Sequence, residues 1–184
     1  MALRLITPPA AEPVTTDQAA IEARVTAADD KTRLATYLKA ARLDVEGLTG
    51  RALVTQTWEL VLAGFDPIVW IPKPPLASVV SVTYRDPSGA AVVLAPAAYQ
   101  LFAPSGETPG LGAIVPAGGG YWPVTASHPE AVVVRFTCGY GLAAAVPAPL
   151  ALAVSIRAAQ YYNGALDDDA LLKVLARYVV TELA

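Results

Sequence analysis

Apolar side chains recur at helical spacing up to Gly50 and at strand spacing after it. From Asp29, the positions Leu34, Leu38, Ala41, Val45 and Leu48 follow one another at steps of four and three, which lines them up on one helical stripe. Lys31, Arg33, Lys39, Arg42, Asp44 and Glu46 fall largely off that stripe. Asp29 or Asp30 is placed to accept bonds from the free amides at the helix start. Gly47 weakens the last turn, and Gly50 supplies the left-handed residue that ends it. The period then becomes two. Val54, Gln56, Trp58, Leu60 and Leu62 share one face, and Thr55, Thr57 and Glu59 share the other. An amphipathic helix docked beside a sheet is the predicted heart of the molecule.

The rest of the chain follows the same logic. Residues 1–13 read as extended, punctuated by Pro8, Pro9 and Pro13. Thr15 and Gln18 have capping-box spacing and open a short helix to about Ala27, with Ile21 and Val25 as its buried points. That stripe is thin, so this helix is expected to lean on something larger, a neighbouring subunit. Short strands are predicted at 68–71, 78–84, 92–94, 99–102, 113–115 and 131–138. Asp86-Pro87-Ser88-Gly89 is a turn, because Pro presets the second position and Gly suits the last. Pro104–Gly112 forms a polar loop tip. In the 131–138 strand, Val132, Val134 and Phe136 face one way, and Arg135 on the other side must reach solvent or a carboxylate.

Pro147 and Pro149 suit the first turn of a helix to about Tyr162, with Leu150, Val154, Ala158 and Tyr161 on one side and Asn163-Gly164 ending it. Asp167–Asp169 cap a last helix and complement its dipole. Leu171, Leu172, Val174, Leu175, Tyr178, Val179, Val180 and Leu183 cover most of its circumference, broken by Lys173, Arg177, Thr181 and Glu182. A helix apolar nearly all round must be buried on several sides. It serves either as a central core helix or as a terminal arm that docks into another protein. The predicted class is α+β: a small helical bundle from both chain ends with an inserted antiparallel β unit of short strands. The expected division is 1–52 for the N-terminal segment and helices, 53–141 for the β unit, and 142–184 for the C-terminal helices and arm.

Composition changes this picture in two ways. Hydrophobic residues make up 54% and charged ones 16% of the 184 residues, so a core is readily built and some apolar surface is left for partners. The formal net charge is −3 with no basic run, so tight binding to a nucleic-acid backbone is not encoded in one subunit. The lone Cys138 excludes an internal disulfide. The uncharged stretch Phe136–Ile156 is long enough for a membrane span, but Gly139, Gly141, Pro147 and Pro149 break it.

Catalytic chemistry finds no footing. His128 precedes Pro129 in a loop, and no second His or Cys pair could complete a metal site with it. Cys138 lies in an apolar strand that would raise its pKa, so a pairing with His128 makes a poor nucleophile. Gly118-Gly119-Gly120 lacks the Lys-Ser/Thr and the helix start of a phosphate loop. The three consecutive aspartates cannot all converge on one cation. No enzyme, cofactor or metal is expected.

The wording of the joint carries a resemblance. LDVEGLTGRALVTQTWEL (Leu43–Leu60) and IPKPPLASVVSVTYRDPSG (Ile71–Gly89), with Glu46, Thr49, Gly50, Arg51, Gln56, Thr57, Trp58, Pro72, Pro74, Pro75, Leu76, Ser81, Val82 and Tyr84, resemble the head–tail connector (adaptor) proteins of long-tailed double-stranded DNA phages and gene transfer agents. VRFTCGYG (Val134–Gly141) and VPAPLALAV (Val146–Val154) agree. The resemblance implies a virion structural protein in the neck between capsid and tail, assembled in the host bacterial cytoplasm. It implies a homo-oligomeric ring, commonly of twelve subunits, under the portal protein. Such a ring seats the tail-side stopper and leaves a channel for DNA that is not read by sequence. No membrane partner is expected. With the family's habit of engaging the portal through its C-terminal part, Leu171, Leu175, Tyr178 and Val179 are the expected portal contacts, and Ile21 and Val25 the expected subunit contacts. The alternative is a β-rich module for glycan or peptide, with Tyr121, Trp122 and Tyr140 as an aromatic platform.

Overall fold

The computed structural model describes residues 1–180, so Thr181, Glu182 and Leu183 of the expected last helix lie outside the described residues. The fold is α+β, with four α-helices and two antiparallel sheets among the described residues. Two compact units share the chain: residues 1–8 with 55–139, and residues 9–54 with 140 onward.

The first unit holds all eight strands. These are β1 (Ala2–Thr7), β2 (Gln56–Leu62), β3 (Val69–Ile71), β4 (Leu76–Arg85), β5 (Ala91–Leu94), β6 (Tyr99–Phe102), β7 (Gly112–Pro116) and β8 (Val132–Cys138). Five form one sheet in the order β1-β2-β8-β4-β5, and three form a second in the order β3-β7-β6. The alternation read in the sequence sets the faces. Leu60, Val134 and Val82 are register partners across the centre of the larger sheet, and all three are fully buried. The opposite face carries Glu59 against Arg135. Arg135 meets the Glu59 carboxylate from Nε at 3.0 Å and Nη2 at 2.6 Å, so the predicted need for a carboxylate is met across the strand. Gly112 in β7 lies so close to Leu76 in β4 that a Cβ there would sit 2.8 Å from the Leu76 Cβ, and only glycine allows this approach. The predicted turn forms as read: Asp86 accepts the amides of Ser88 at 2.9 Å and Ala90 at 3.0 Å.

One strand is new. The segment before Pro8, read as extended and grouped with the bundle, belongs to the sheet unit: β1 pairs antiparallel with β2, with Leu3 opposite Leu60 and Leu5 opposite Trp58. It is an edge strand with five of its six residues exposed, so no burial period marks it in the sequence.

The second unit is helical: α1 (Thr16–Ala23), α2 (Ala28–Thr49), α3 (Ala148–Asn163) and α4 (Asp168–Leu175), followed by a 3-10 turn at Ala176–Tyr178. The capping box at Thr15 is present. Its hydroxyl accepts the Gln18 amide at 3.2 Å, and the Gln18 side chain accepts the Thr15 amide at 2.7 Å. The helix it opens ends at Ala23, four residues earlier than expected, where Arg24 turns left-handed at φ 57°. On α2, Asp29 and Asp30 sit inside the first turn rather than at the cap, which is Ala27 with no side-chain bond, so they act on the helix dipole. Leu34, Leu38, Ala41 and Val45 are buried as read and meet Leu150, Ala153, Val154 and Ala158 of α3 in one hydrophobic core. The uncharged stretch Phe136–Ile156 is divided among a strand end, a 3-10 turn and a helix start, and no described helix is long and apolar enough to cross a membrane.

Candidate interaction surfaces

The C-terminal segment decides what the chain can offer a partner. Read as either a central core helix or a docking arm, the segment is fastened to its own bundle. Leu171, Leu175 and Tyr178 have 0% exposure and belong to the hydrophobic core of the helical unit. Arg51 donates from Nε to the Tyr178 carbonyl at 2.5 Å, and the Val180 amide donates to the Thr49 carbonyl at 2.9 Å. Arg157, itself 4% exposed, pairs with Asp168 at the start of α4 and lies 3.3 Å from Asp44 on α2. Asp168 is therefore an ion-pair partner as well as an N-terminal charge. The physical reason is amphipathicity. At four- and three-residue steps, Leu171, Leu175 and Tyr178 line one stripe, and that stripe has a home within the unit. Of the four expected portal contacts, Val179 alone is at the surface, at 41% exposure, where Leu172 at 39% is also exposed.

The two expected subunit contacts also part company. Val25 is buried in the helical core, whereas Ile21, read as a buried point of its helix, is 75% exposed. Ile21 lines an open groove of about 610 Å³ with Ala20, Arg24 and Thr26, rimmed by Asp17 and Lys31. Lys31 donates to Asp17 at 2.7 Å, and that hydrogen bond, with the charge behind it, lowers the Asp17 pKa from 3.8. The buried residues of this helix are small alanines, and its β-branched Ile21 is left open.

Charges the sequence placed off the helical stripe turn out to be interior. Arg42 is 4% exposed and donates to Glu12 and Glu46, each at 2.8 Å. Glu46, also 4% exposed, accepts the Leu53 amide at 3.0 Å with its other oxygen. The cluster ties α2 to the segment before α1 and to the exit from Gly50. These contacts are structural: buried charges held by paired partners.

The aromatic platform of the alternative reading is not assembled. Trp122 stacks on Phe65 with ring centroids 4.5 Å apart and planes 7° apart, which covers one of its faces. Tyr140 packs against the helical core, and its amide donates to the Leu53 carbonyl at 2.9 Å. Tyr121, at 98% exposure, is left without them. The Nδ1 of His128 accepts the Glu130 amide at 3.0 Å, as a turn residue does. Cys138 is fully buried at the end of β8. Among the described residues, no group of three or more His, Cys, Asp or Glu is placed to hold a metal.

A helical unit drawn from two separated parts of the chain, and a unit of antiparallel sheets drawn largely from the sequence between them, make up a fold found in solved structures. No protein-family model and no curated protein matches the chain. Solved structures do. A chain in the neck of an empty gene transfer agent particle, computed with C6 symmetry, aligns with TM-score 0.80 and 24% identity over 100% of this chain and 98% of that one. A chain in the virion of a native gene transfer agent particle gives 0.81 at the same identity and coverage. A chain in the native neck, computed with C12 symmetry, gives 0.74, again at 24% identity and the same coverage.

Proposed function

We propose that this chain is a structural component of a virion neck: a head–tail adaptor that forms a ring between the portal and the tail-side stopper. One observation carries this reading. The whole chain, end to end, shares its fold with nearly whole chains from gene transfer agent particles, two of them in the neck and one in the virion. The residues that resemble the adaptor family, from Leu43 to Gly89 and from Val134 to Val154, support it. The C6 and C12 symmetries of those necks support a ring, and twelve copies is the number we assign. The role is assembly, not catalysis. DNA passes through the ring without sequence-specific contact, in keeping with a net charge of −3. The chain enters the particle in the host cytoplasm.

Within this reading the C-terminal segment faces the portal. Val179, with Leu172, makes the contact from the surface, and Leu171, Leu175 and Tyr178 hold the segment from beneath. Ile21 meets the neighbouring subunit, and Val25 supports it from the core. The test uses the full chain and the portal protein of its own particle, mixed and separated by gel filtration. The chain should co-elute with portal rings, and Leu172→Asp with Val179→Asp should abolish co-elution while the helical circular dichroism stays unchanged. A wild-type chain that never joins the portal would refute the role. Unchanged binding by the double variant would refute the surface.

A further inference from the structure

Among the described residues, the five-stranded sheet is open at both ends. β1 and β5 each pair on one side only, β1 with β2 and β5 with β4. An open edge is a row of unpaired amides and carbonyls that natural proteins blunt with proline, lysine, bulges or a cover. Neither strand contains a proline or a lysine. The single charge, Arg4, is turned to Glu130. The one irregularity in β1 falls at its end, between Leu5 and Thr7, and leaves Ala2–Leu5 in regular pairing.

A second observation comes from the register. Ala2, Val61, Val133, Thr83 and Val93 are successive cross-strand partners, so they form one row across all five strands. The neighbouring row on the same face is Arg4, Glu59, Arg135 and Ser81. The first row is thus apolar at four of its five positions and lies beside a row that carries three charges. It is buried at Val61, at 3% exposure, and open at both ends, where Ala2 is exposed and Val93 is 68% exposed.

We propose that the β5 edge of one copy pairs with the β1 edge of the next, so that the larger sheet continues around the ring. This inference rests on the neck reading above. A second copy is the occupant because both missing partners are ends of the same sheet, and because chains of this fold occur in necks of C6 and C12 symmetry. Four antiparallel steps separate β1 from β5, so the two edges run in the same sense. Copies related by rotation about a ring axis keep that sense, and the new pair is parallel. Such a contact is heterologous, joining two different surfaces, as closure of a ring requires. Five strands at ~4.8 Å give each copy a sheet width of ~24 Å, so twelve upright copies would close a wall ~90 Å across, wide enough to surround a duplex.

Cysteines at the two ends of the apolar row provide the test. Ala2→Cys and Val93→Cys are made singly and together in the full chain, which is assembled on portal rings and treated with a flexible bismaleimide. The double variant should give a ladder of covalent multimers, and neither single variant should give a dimer. Dimers from one single variant would mean that like edges pair across a two-fold axis, and would overturn the proposal. Rings that form but do not cross-link overturn the edge pairing and leave the neck reading standing. Absence of any ring counts against both. As a second readout, Ala2→Lys with Val93→Lys should raise the concentration needed for ring formation roughly tenfold, with the monomer's unfolding curve unchanged.

Discussion

Tyr178 is the side chain on which the placement of the C-terminal segment turns. It is the largest fully buried side chain among the described residues, with Arg51 bonded to its carbonyl and Arg177 bonded to its hydroxyl at 2.9 Å. Burying an aromatic ring removes roughly 150–250 Å² from water, worth about 4–6 kcal/mol at about 25 cal/mol per Å². Aromatic-to-alanine changes in cores cost about 3–5 kcal/mol, so Tyr178→Ala should lose about 4 kcal/mol. All four α-helices among the described residues lie in the helical unit, and Trp58, Trp70 and Trp122 lie in the other, so ellipticity at 222 nm is the appropriate signal. With a urea slope of about 2 kcal/mol per molar, the helical transition should move down by about 2 M. Val179→Ala, one residue on and half exposed, should move it by less than about 0.5 M, since surface truncations stay near 0.5 kcal/mol. If both variants unfold like the parent, Tyr178 is not part of the core, and the segment is the docking arm, the other of the two readings the sequence left open.

Three further predictions follow the same reasoning. Glu46→Ala strands the Arg42 guanidinium beside a single carboxylate and should cost about 3–5 kcal/mol in urea unfolding at 222 nm, whereas Arg4→Ala at an exposed pair should cost under about 1 kcal/mol. Gly112→Ala forces Leu76 aside and should destabilise the sheet unit by about 1–3 kcal/mol, read by tryptophan fluorescence; a neutral result would mean that β7 and β4 do not touch. The Ser88 hydroxyl, with the amides of Ala90, Ser88 and Gly89, holds the Asp86 pKa below 3.8, so the folded state favours the charged form. The turn's stability is therefore present above the unfolded pKa and lost as pH falls through the lowered one. The amide resonances of Ser88 and Ala90 should titrate with a midpoint under 3.8 and stop doing so in Asp86→Asn.

What the sequence revealed was what local period and turn chemistry encode. The stripe of α2, its stop at Gly50, the capping box at Thr15, the Asp86 turn and the faces of β8 were all legible within windows of a few residues. What it concealed was settled by residues far apart in the chain. Arg42 and Glu46 read as surface charges because their burial depends on each other and on Glu12, thirty residues from Arg42. β1 was invisible as a strand because an exposed edge has no burial alternation, only a partner in β2. For α4, all-round apolarity signalled burial correctly but not by what. The answer lay in Arg51 and Thr49, more than a hundred residues upstream, which bind the backbone of Tyr178 and Val180. The candidate surfaces were less legible still: Ile21, read as a buried point of its helix, is 75% exposed.

The most direct test of the neck assignment is electron cryomicroscopy of the full chain bound to its own portal, averaged first without imposed symmetry. A ring of rotationally related copies on the tail side of the portal, with both units of this fold recognisable in each copy, is the predicted result. Portal particles bare of any added density, at protein concentrations that saturate the mixture, would contradict it.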